Sequence, residues 1–162
     1  MSAYKNVCVT GKPAGGRVRE DDPKGTVPSA HDAGGISPGL LQFIQDVVFG
    51  TPDPNMPVKP LNFPALVSID DYPGARAVDV HFEGRAADIY FNYNDVTERT
   101  FGNWLFDWCV ANCTVYLIQG VIFGKRKWYV EKDQGKVDEK YTGGDHFNHV
   151  HVELNCDGAN SP

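Results

Sequence analysis

The stretch GGDHFNHVHVEL, residues 143–154, holds three of the five histidines in this chain of 162 residues. Its second half, HVHVEL, alternates polar and apolar residues as a half-buried β-strand does, because successive side chains of a strand point to opposite faces. His149, His151 and Glu153 therefore share one face. The two valines and Leu154 form the other face, which we expect to lie against the core. The stretch predicts a strand with a histidine-rich site on one face and the core on the other.

The composition limits the classes of partner. A chain of 162 residues fits about one domain, and 41% hydrophobic with 22% charged residues is ordinary for a globular protein. The net charge of −6 argues against a nucleic-acid or anionic-membrane partner, which dense Lys and Arg would favour. No apolar run approaches the roughly 20 residues of a membrane-spanning helix. The opening MSAYKNVCVTGKPAGG has no apolar segment like that of a secretory signal. We expect no membrane insertion, and synthesis in the cytoplasm.

The first third of the chain reads as an N-terminal region, residues 1–64, with one helix that is packed on or extends the domain. Residues 1–36 are rich in Gly, Pro and charge, as irregular surface chain is. Ser37 and Pro38 are typical of a helix start, and Gly50 of a helix end. The apolar residues between them follow helical spacing: Leu40, Leu41, Ile44, Val47 and Val48. The proline-rich stretch that follows predicts an extended connector.

The second part, residues 65–162, reads as the catalytic core. ALVSI, RAVDVHF and RAADIYFNY carry the β-branched and aromatic residues of strands. Asp95 and Glu98 form a capping-box pattern that starts a second helix, which runs through about Cys113 with an apolar aromatic face. TVYLIQGVIF and KWYV predict a hairpin-like pair of strands before HVHVEL. The fold class is α+β: a mostly antiparallel sheet that carries the site, with two principal helices.

The four cysteines show no CxxC spacing, which argues against a cysteine zinc site. Cys109 and Cys113 are expected to be free, largely buried thiols. Cys8 and Cys156 could be bridged only if the two ends of the chain meet, and the sequence leaves this open.

The stretch HFEGRAADIYF, residues 81–91, offers the chemistry that the histidine strand lacks. His81 and Asp88 are ligand types that suit zinc, and Gly84 allows a bend between them. With one strand histidine they would give three protein ligands and leave the fourth position open, which is the catalytic rather than the structural pattern. His31, in a glycine-rich loop, is interpreted as an ordinary surface residue.

Two motifs of the chain resemble those of one zinc peptidase group: HxxGRAxD, which begins at His81, and HxxHVHV, which begins at His146. The group joins lysostaphin-type endopeptidases, D-Ala-D-Ala carboxypeptidases and the hedgehog signalling domain. The likeness is closest to the carboxypeptidase-like branch. NWLFDWCVANC, VIFGKRKW and SIDDYPGAR add weaker likenesses, and the whole covers about residues 65–154. The resemblance implies His81, Asp88 and His151 as zinc ligands, His149 as a catalytic residue and His146 as a further active-site histidine.

One position departs from the pattern of that group. Asn148 stands where many of its carboxypeptidases carry a catalytic Glu, and an amide cannot take the proton. This leaves the general base open between His149 and Glu153. Asp145 and Glu153 are expected to lie behind the ligands, where a carboxylate orients a ligating histidine. Arg76 is the best candidate for holding a peptide carboxylate, because its planar fork matches that group.

The resemblance implies a zinc-dependent peptidase that hydrolyses stem peptides of bacterial peptidoglycan, of D,D-carboxypeptidase or endopeptidase type. Such an enzyme would act at the cell wall or periplasm after delivery, as a lysin or secreted antibacterial effector, with a possible delivery or immunity protein as partner. The first alternative is a catalytically inactive zinc-containing binding domain of the hedgehog-like type. The second is a metal nuclease, suggested by the His-Asn-His look of DHFNH and disfavoured by the charge of −6.

Overall fold

The computed structural model describes residues 36–60, 67–68, 80–81, 84–130, 137–144 and 146–161. These residues form an α+β fold with a mostly antiparallel sheet, as the sequence predicts. The helices are α1 (Pro38–Phe43), α2 (Val96–Ala111) and α3 (Cys156–Asn160), and α1 continues as a π-helical segment, Ile44–Phe49. The strands are β1 (Val67–Ser68), β2 (Ala86–Tyr90), β3 (Ile118–Phe123), β4 (Arg126–Tyr129) and β5 (His149–Leu154).

The strand predicted from HVHVEL is the middle strand of the described sheet. The strand order is β1-β2-β5-β3-β4, and every neighbouring pair is antiparallel. Val150, Val152 and Leu154 are completely buried on the core face, as their alternation predicts. In this register His151 of β5 stands opposite Asp88 of β2 on one side and opposite Ile122 of β3 on the other. The middle strand therefore carries the histidine face between two flanking strands.

The first helix begins where the sequence predicts, with the Ser37 side chain accepting a hydrogen bond from the Leu40 N–H and Pro38 in the first turn. Its buried face differs from the prediction in two residues. Phe43 is buried and Leu41 is 42% exposed. The buried residues follow the i, i+3, i+4, i+7, i+8 spacing of one helix face, which leaves Leu41 at its solvent edge: Leu40, Phe43, Ile44, Val47 and Val48.

Helix α2 begins at the predicted cap, where the Asp95 carboxylate accepts from the Glu98 N–H at 2.9 Å. In a complete capping box the Glu98 side chain would also accept from the Asp95 N–H. Here it accepts from the Asn92 N–H at 2.6 Å instead. The helix ends at Ala111, two residues before the predicted Cys113. Its buried residues pack on the core face of β3 and β5: Phe101, Leu105, Phe106, Trp108 and Cys109.

The helix of the N-terminal region shares this core. Leu40, Phe43 and Val47 belong to the same buried cluster as Val150 and Val152 of β5. The described part of residues 1–64 therefore has no core of its own and packs on the sheet domain.

Two smaller sequence questions concern cysteines and membranes. Cys109 and Cys113 are free thiols, and burial raises the pKa of each. Cys156 is disulfide-bonded, and Cys8, whose pairing with it the sequence leaves open, lies outside the described residues. Among the described residues, no helix combines the length and apolar character needed to cross a bilayer.

Candidate metal centre

Three side chains converge on the face of the sheet opposite the core. Nδ1 of His151 lies 2.9 Å from Oδ1 of Asp88, and Nε2 of His81 lies 3.1 Å from Nδ1 of His151. The third edge of the triangle, from His81 Nε2 to Asp88 Oδ1, measures 3.4 Å. These are the three residues that the sequence selects as metal ligands, and together they could hold a metal ion.

The dimensions of this triangle fit a small tetrahedral ion. Metal–ligand bonds of about 2.0–2.1 Å at tetrahedral angles place ligand atoms about 3.3 Å apart. The three observed separations of 2.9, 3.1 and 3.4 Å lie close to that value. Two imidazole nitrogens and one carboxylate oxygen are also a donor set that suits zinc. The fourth tetrahedral position would be left for a water molecule or a substrate.

His81 lies in a turn rather than in the strand predicted from RAVDVHF. The predicted bend at Gly84 is present, with a φ of +67° that favours glycine. The Gly84 N–H donates to the His81 carbonyl at 2.8 Å, which closes the turn. The buried side chain of Arg85 donates to the Leu154 carbonyl at 2.8 Å and ties this turn to the end of β5. The turn therefore brings His81 back over Asp88 of β2.

The carboxylates around His151 dominate the electrostatics of the centre. Burial alone would lower the pKa of His151, but the hydrogen bonds and charges of Asp88 and Glu153 raise it to about 10. Burial alone would raise the pKa of Asp88, yet His151 and His81 hold it well below its usual range. Without a metal, His151 is therefore a doubly protonated imidazolium between two carboxylates, and a cation can replace its Nδ1 proton.

Glu153 orients His151 from behind. Its Oε1 lies 3.2 Å from Nε2 of His151, and the residue is only 2% exposed. Tyr129 donates its hydroxyl hydrogen to Oε1 at 3.2 Å, and the Gln119 amide donates to Oε2 at 3.0 Å. A carboxylate that accepts from one ring nitrogen of a histidine leaves the other nitrogen for the metal. This arrangement assigns Nδ1 of His151 to the metal position.

Two irregularities of β3 build the contacts to Glu153. The ladder between β3 and β5 is irregular between Ile118 and Gly120, and Gln119 is the additional residue there. Because a bulge re-aims a side chain, Gln119 points to the site face rather than to the core. Gly120 has no side chain, so Tyr129 reaches over it to Glu153. A Cβ at Gly120 would overlap the Tyr129 ring.

His149 stands beside the triangle without being part of it. Its Nε2 lies 3.6 Å from Oδ1 of Asp88, and its side chain is 13% exposed. Its Nδ1 lies 2.7 Å from the amide oxygen of Asn148. Because an amide oxygen only accepts, this contact keeps a proton on Nδ1, and Nε2 is the ring nitrogen that faces the centre.

His146 borders both neighbouring histidines. Its ring centroid lies 4.9 Å from that of His149 and 5.8 Å from that of His151. Burial and the charges of His151 and His149 lower the pKa of His146 to about 4. A neutral imidazole that can donate one hydrogen bond therefore faces the centre at neutral pH.

The structure brings together six of the eight residues selected from the sequence: His81, Asp88, His146, His149, His151 and Glu153. Arg76 and Asp145 lie outside the described residues. The sequence interpretation did not include Gln119 and Tyr129. The glycine inside the strand pattern LIQGVIF is a signal that could have indicated them, since glycine within a strand often marks a bulge or a close approach.

Comparison with known proteins identifies the family. The family model described as VldE, C-terminal domain, matches residues 61–151, which is more than half of the chain. The chain belongs to this family. The matched range contains His81, Asp88, His146, His149 and His151 and ends at the last of them. No curated protein and no solved structure matches the chain.

Proposed function

We propose that the protein is a zinc-dependent peptidase that hydrolyses amide bonds in the stem peptides of bacterial peptidoglycan. The observation that carries the proposal is the triangle of His81, Asp88 and His151 with His149 beside it. A structural zinc site usually has four protein ligands, whereas three ligands with an adjacent acid–base group are typical of a hydrolase. The substrate class rests on the resemblance of HxxGRAxD and HxxHVHV to the zinc peptidase group.

In this proposal His81 Nε2, Asp88 Oδ1 and His151 Nδ1 hold the ion. Zinc, when bound, supplies Lewis-acid polarisation of the scissile carbonyl and acidifies the attacking water. Nε2 of His149 accepts the proton from that water and passes it to the leaving amine, which is general acid–base catalysis. Asn148 keeps His149 in the tautomer that this role requires. Asn148, which stands where many carboxypeptidases of the group that the chain resembles carry a catalytic Glu, thus supports His149 as the base.

Glu153 fits a different role from that of a base. It is almost fully buried and already accepts from Tyr129 and Gln119 while contacting His151. A base must reach the reacting proton within hydrogen-bond distance, directly or through one water. The His151 ring separates Glu153 from the other two members of the triangle, so we assign to Glu153 the positioning of His151 and to His149 the proton transfer.

His146 is the candidate donor to the oxygen that becomes negative as the carbonyl is attacked. Its neutral ring carries one N–H, and a preorganised donor in a partly water-excluded site stabilises such charge strongly. Arg76 remains the proposed partner of the peptide carboxylate, and Asp145 a proposed support for a histidine. Action at the cell wall or periplasm after delivery, with a delivery or immunity protein as partner, belongs to the same proposal.

The test is to incubate the zinc-loaded protein with purified peptidoglycan stem peptides and to identify the products by mass. The proposal expects a mass gain of one water distributed over two fragments, with no products from the metal-free protein. Matched reactions with the His149→Ala variant separate an enzyme from a binding domain, because this variant should keep its zinc and lose turnover. Intact peptides after reaction with fully zinc-loaded wild-type protein would favour the hedgehog-like binding domain.

A further inference from the structure

A surface cavity of about 580 Å³ lies next to His146, on the side of the site away from β2. It is formed by the turn between β3 and β4 and by the loop that precedes β5. Its lining residues are Gly124, Lys125, Glu139, Lys140, Tyr141, Thr142, Gly144 and Phe147. We call this cavity the lysine pocket.

The lysine pocket is joined directly to the loop that carries His146. The Gly124 N–H donates to the His146 carbonyl at 2.7 Å, and the Tyr141 ring lies 6.2 Å from the His146 ring. Phe147 follows His146 in the chain and is 43% exposed at the pocket wall. The pocket therefore adjoins His146, whose ring borders that of His151 in the metal triangle.

The pocket walls are held in place by backbone contacts. Lys127 of β4 and Asp138 exchange both backbone hydrogen bonds, at 2.9 and 2.8 Å. The Tyr141 N–H donates to the Lys125 carbonyl at 2.9 Å, and the Lys127 ammonium lies 4.8 Å above the Tyr141 ring. A pocket whose walls are fixed before binding loses less conformational entropy when a ligand enters.

The charge of the pocket is positive in a chain whose net charge is −6. Lys125 and Lys140 are exposed, and within the described part of the chain neither ammonium group pairs with a carboxylate. Glu139 is the acidic lining residue, but it is paired with Arg126 at 3.1 Å. Asp138 accepts from the Lys140 backbone N–H at 2.9 Å. Two ammonium groups beside aromatic walls favour a ligand with a carboxylate on a partly apolar body.

We propose that the lysine pocket is a subsite that binds the carboxylate-bearing segment of the peptide substrate, with Lys125 and Lys140 as its anion-binding residues. The inference rests on the proposed peptidase function and adds to it a preference for peptides with free carboxylates away from the scissile bond. Tyr141 and Phe147 contact the apolar part of the same segment.

The experiment measures binding without turnover. The zinc-loaded His149→Ala protein is titrated with a wall stem pentapeptide that has free side-chain carboxylates. A second titration uses the same pentapeptide with those carboxylates converted to carboxamides. The double variant Lys125→Gln/Lys140→Gln is made in the same background. Lys59→Gln serves as the control for the loss of a lysine charge outside the pocket, because Lys59 donates to the Val48 and Gly50 carbonyls and does not line the pocket.

We expect the free-carboxylate peptide to bind about tenfold more tightly than its carboxamide, a size typical of two partly exposed ion pairs. The double variant should lose this preference while keeping its zinc, and Lys59→Gln should keep both. Equal binding of the two peptides, no measurable binding of either, or a preference that survives in the double variant would overturn the inference. These outcomes are separate from the proposed function, which fails if the wild-type protein binds the peptides and cleaves neither.

Discussion

Asp88 of β2 and His151 of β5 occupy directly opposite positions in the antiparallel ladder, with Oδ1 and Nδ1 2.9 Å apart. Side chains opposite each other on paired strands stand on the same face of a sheet. The strand register therefore fixes two of the three candidate ligands, and the turn at Gly84 adds His81. Because backbone pairing supplies this geometry, the site should be formed before a metal binds.

The first prediction concerns the stability of the metal-free protein. Removal of metal with a chelator should leave the far-ultraviolet circular dichroism spectrum nearly unchanged, because the core packs on the opposite face of the sheet. The melting temperature should fall, since a ligand that binds only the folded state stabilises it. A spectrum of random coil after chelation would mean that the ion is structural, as in a zinc finger.

The second prediction concerns proton release. Asp88 and Glu153 raise the pKa of His151 to about 10, so at pH 7 the metal-free protein holds a proton on Nδ1 that zinc must displace. Calorimetric titration with zinc in buffers of different ionisation enthalpy should therefore show release of about one proton from this residue at pH 7.

The protonation of His151 also sets the direction in which zinc affinity and stability change with pH. Below a pH of about 10, zinc affinity should rise with pH because less His151 imidazolium has to be deprotonated. In the metal-free protein the stabilisation by this imidazolium should be complete below its unfolded pKa of about 6.5 and be lost as pH rises through about 10. Zinc binding without any proton release near neutral pH would contradict the assignment of Nδ1 to the metal.

The third prediction concerns Glu153. The isosteric change Glu153→Gln should lower zinc affinity roughly 10- to 100-fold, the usual cost of losing a partner behind a ligating histidine. Tyr129→Phe removes one hydrogen bond to Glu153 but keeps the carboxylate, so its effect should be smaller. Competition with a chromophoric chelator measures both affinities. Wild-type affinity in Glu153→Gln, with the fold intact by circular dichroism, would show that Glu153 does not position His151.

The fourth prediction distinguishes the catalytic effect of His149 from that of Asn148, which contacts it. His149→Ala should keep zinc and lose at least about 100-fold in peptide hydrolysis, a typical weight for a general acid–base group. Asn148→Ala should lower kcat by a smaller factor, because His149 then samples both tautomers. Asn148→Asp keeps an acceptor at the same place and should retain most of the activity. Equal kcat values for Asn148→Ala and wild type would show that Asn148 does not support the catalytic tautomer of His149.

Much of this arrangement could be predicted from local sequence patterns. The alternation of HVHVEL predicted both faces of β5, and the cap residues Ser37 and Asp95 predicted where α1 and α2 begin. Ligand chemistry predicted the grouping of His81 with Asp88. Each of these signals lies within a few residues of the chain.

The features that the sequence did not predict depend on neighbours in space. The exposure of Leu41 depends on which edge of the apolar helix face the rest of the core covers. The contacts of Gln119 and Tyr129 to Glu153 depend on the irregular register of β3 and on the position of β4. The tautomer of His149 depends on the amide of Asn148, which sequence reasoning treated only as a missing carboxylate.

The assignment of the three metal ligands is tested by the zinc content of purified variants, determined by elemental mass spectrometry. We expect about one zinc per wild-type chain and a content near zero in His81→Ala, Asp88→Ala and His151→Ala. The matched histidine variants His146→Ala and His149→Ala should keep near-normal zinc. Circular dichroism checks that each variant is folded. Full zinc content in folded His151→Ala would show that His151 is not a metal ligand.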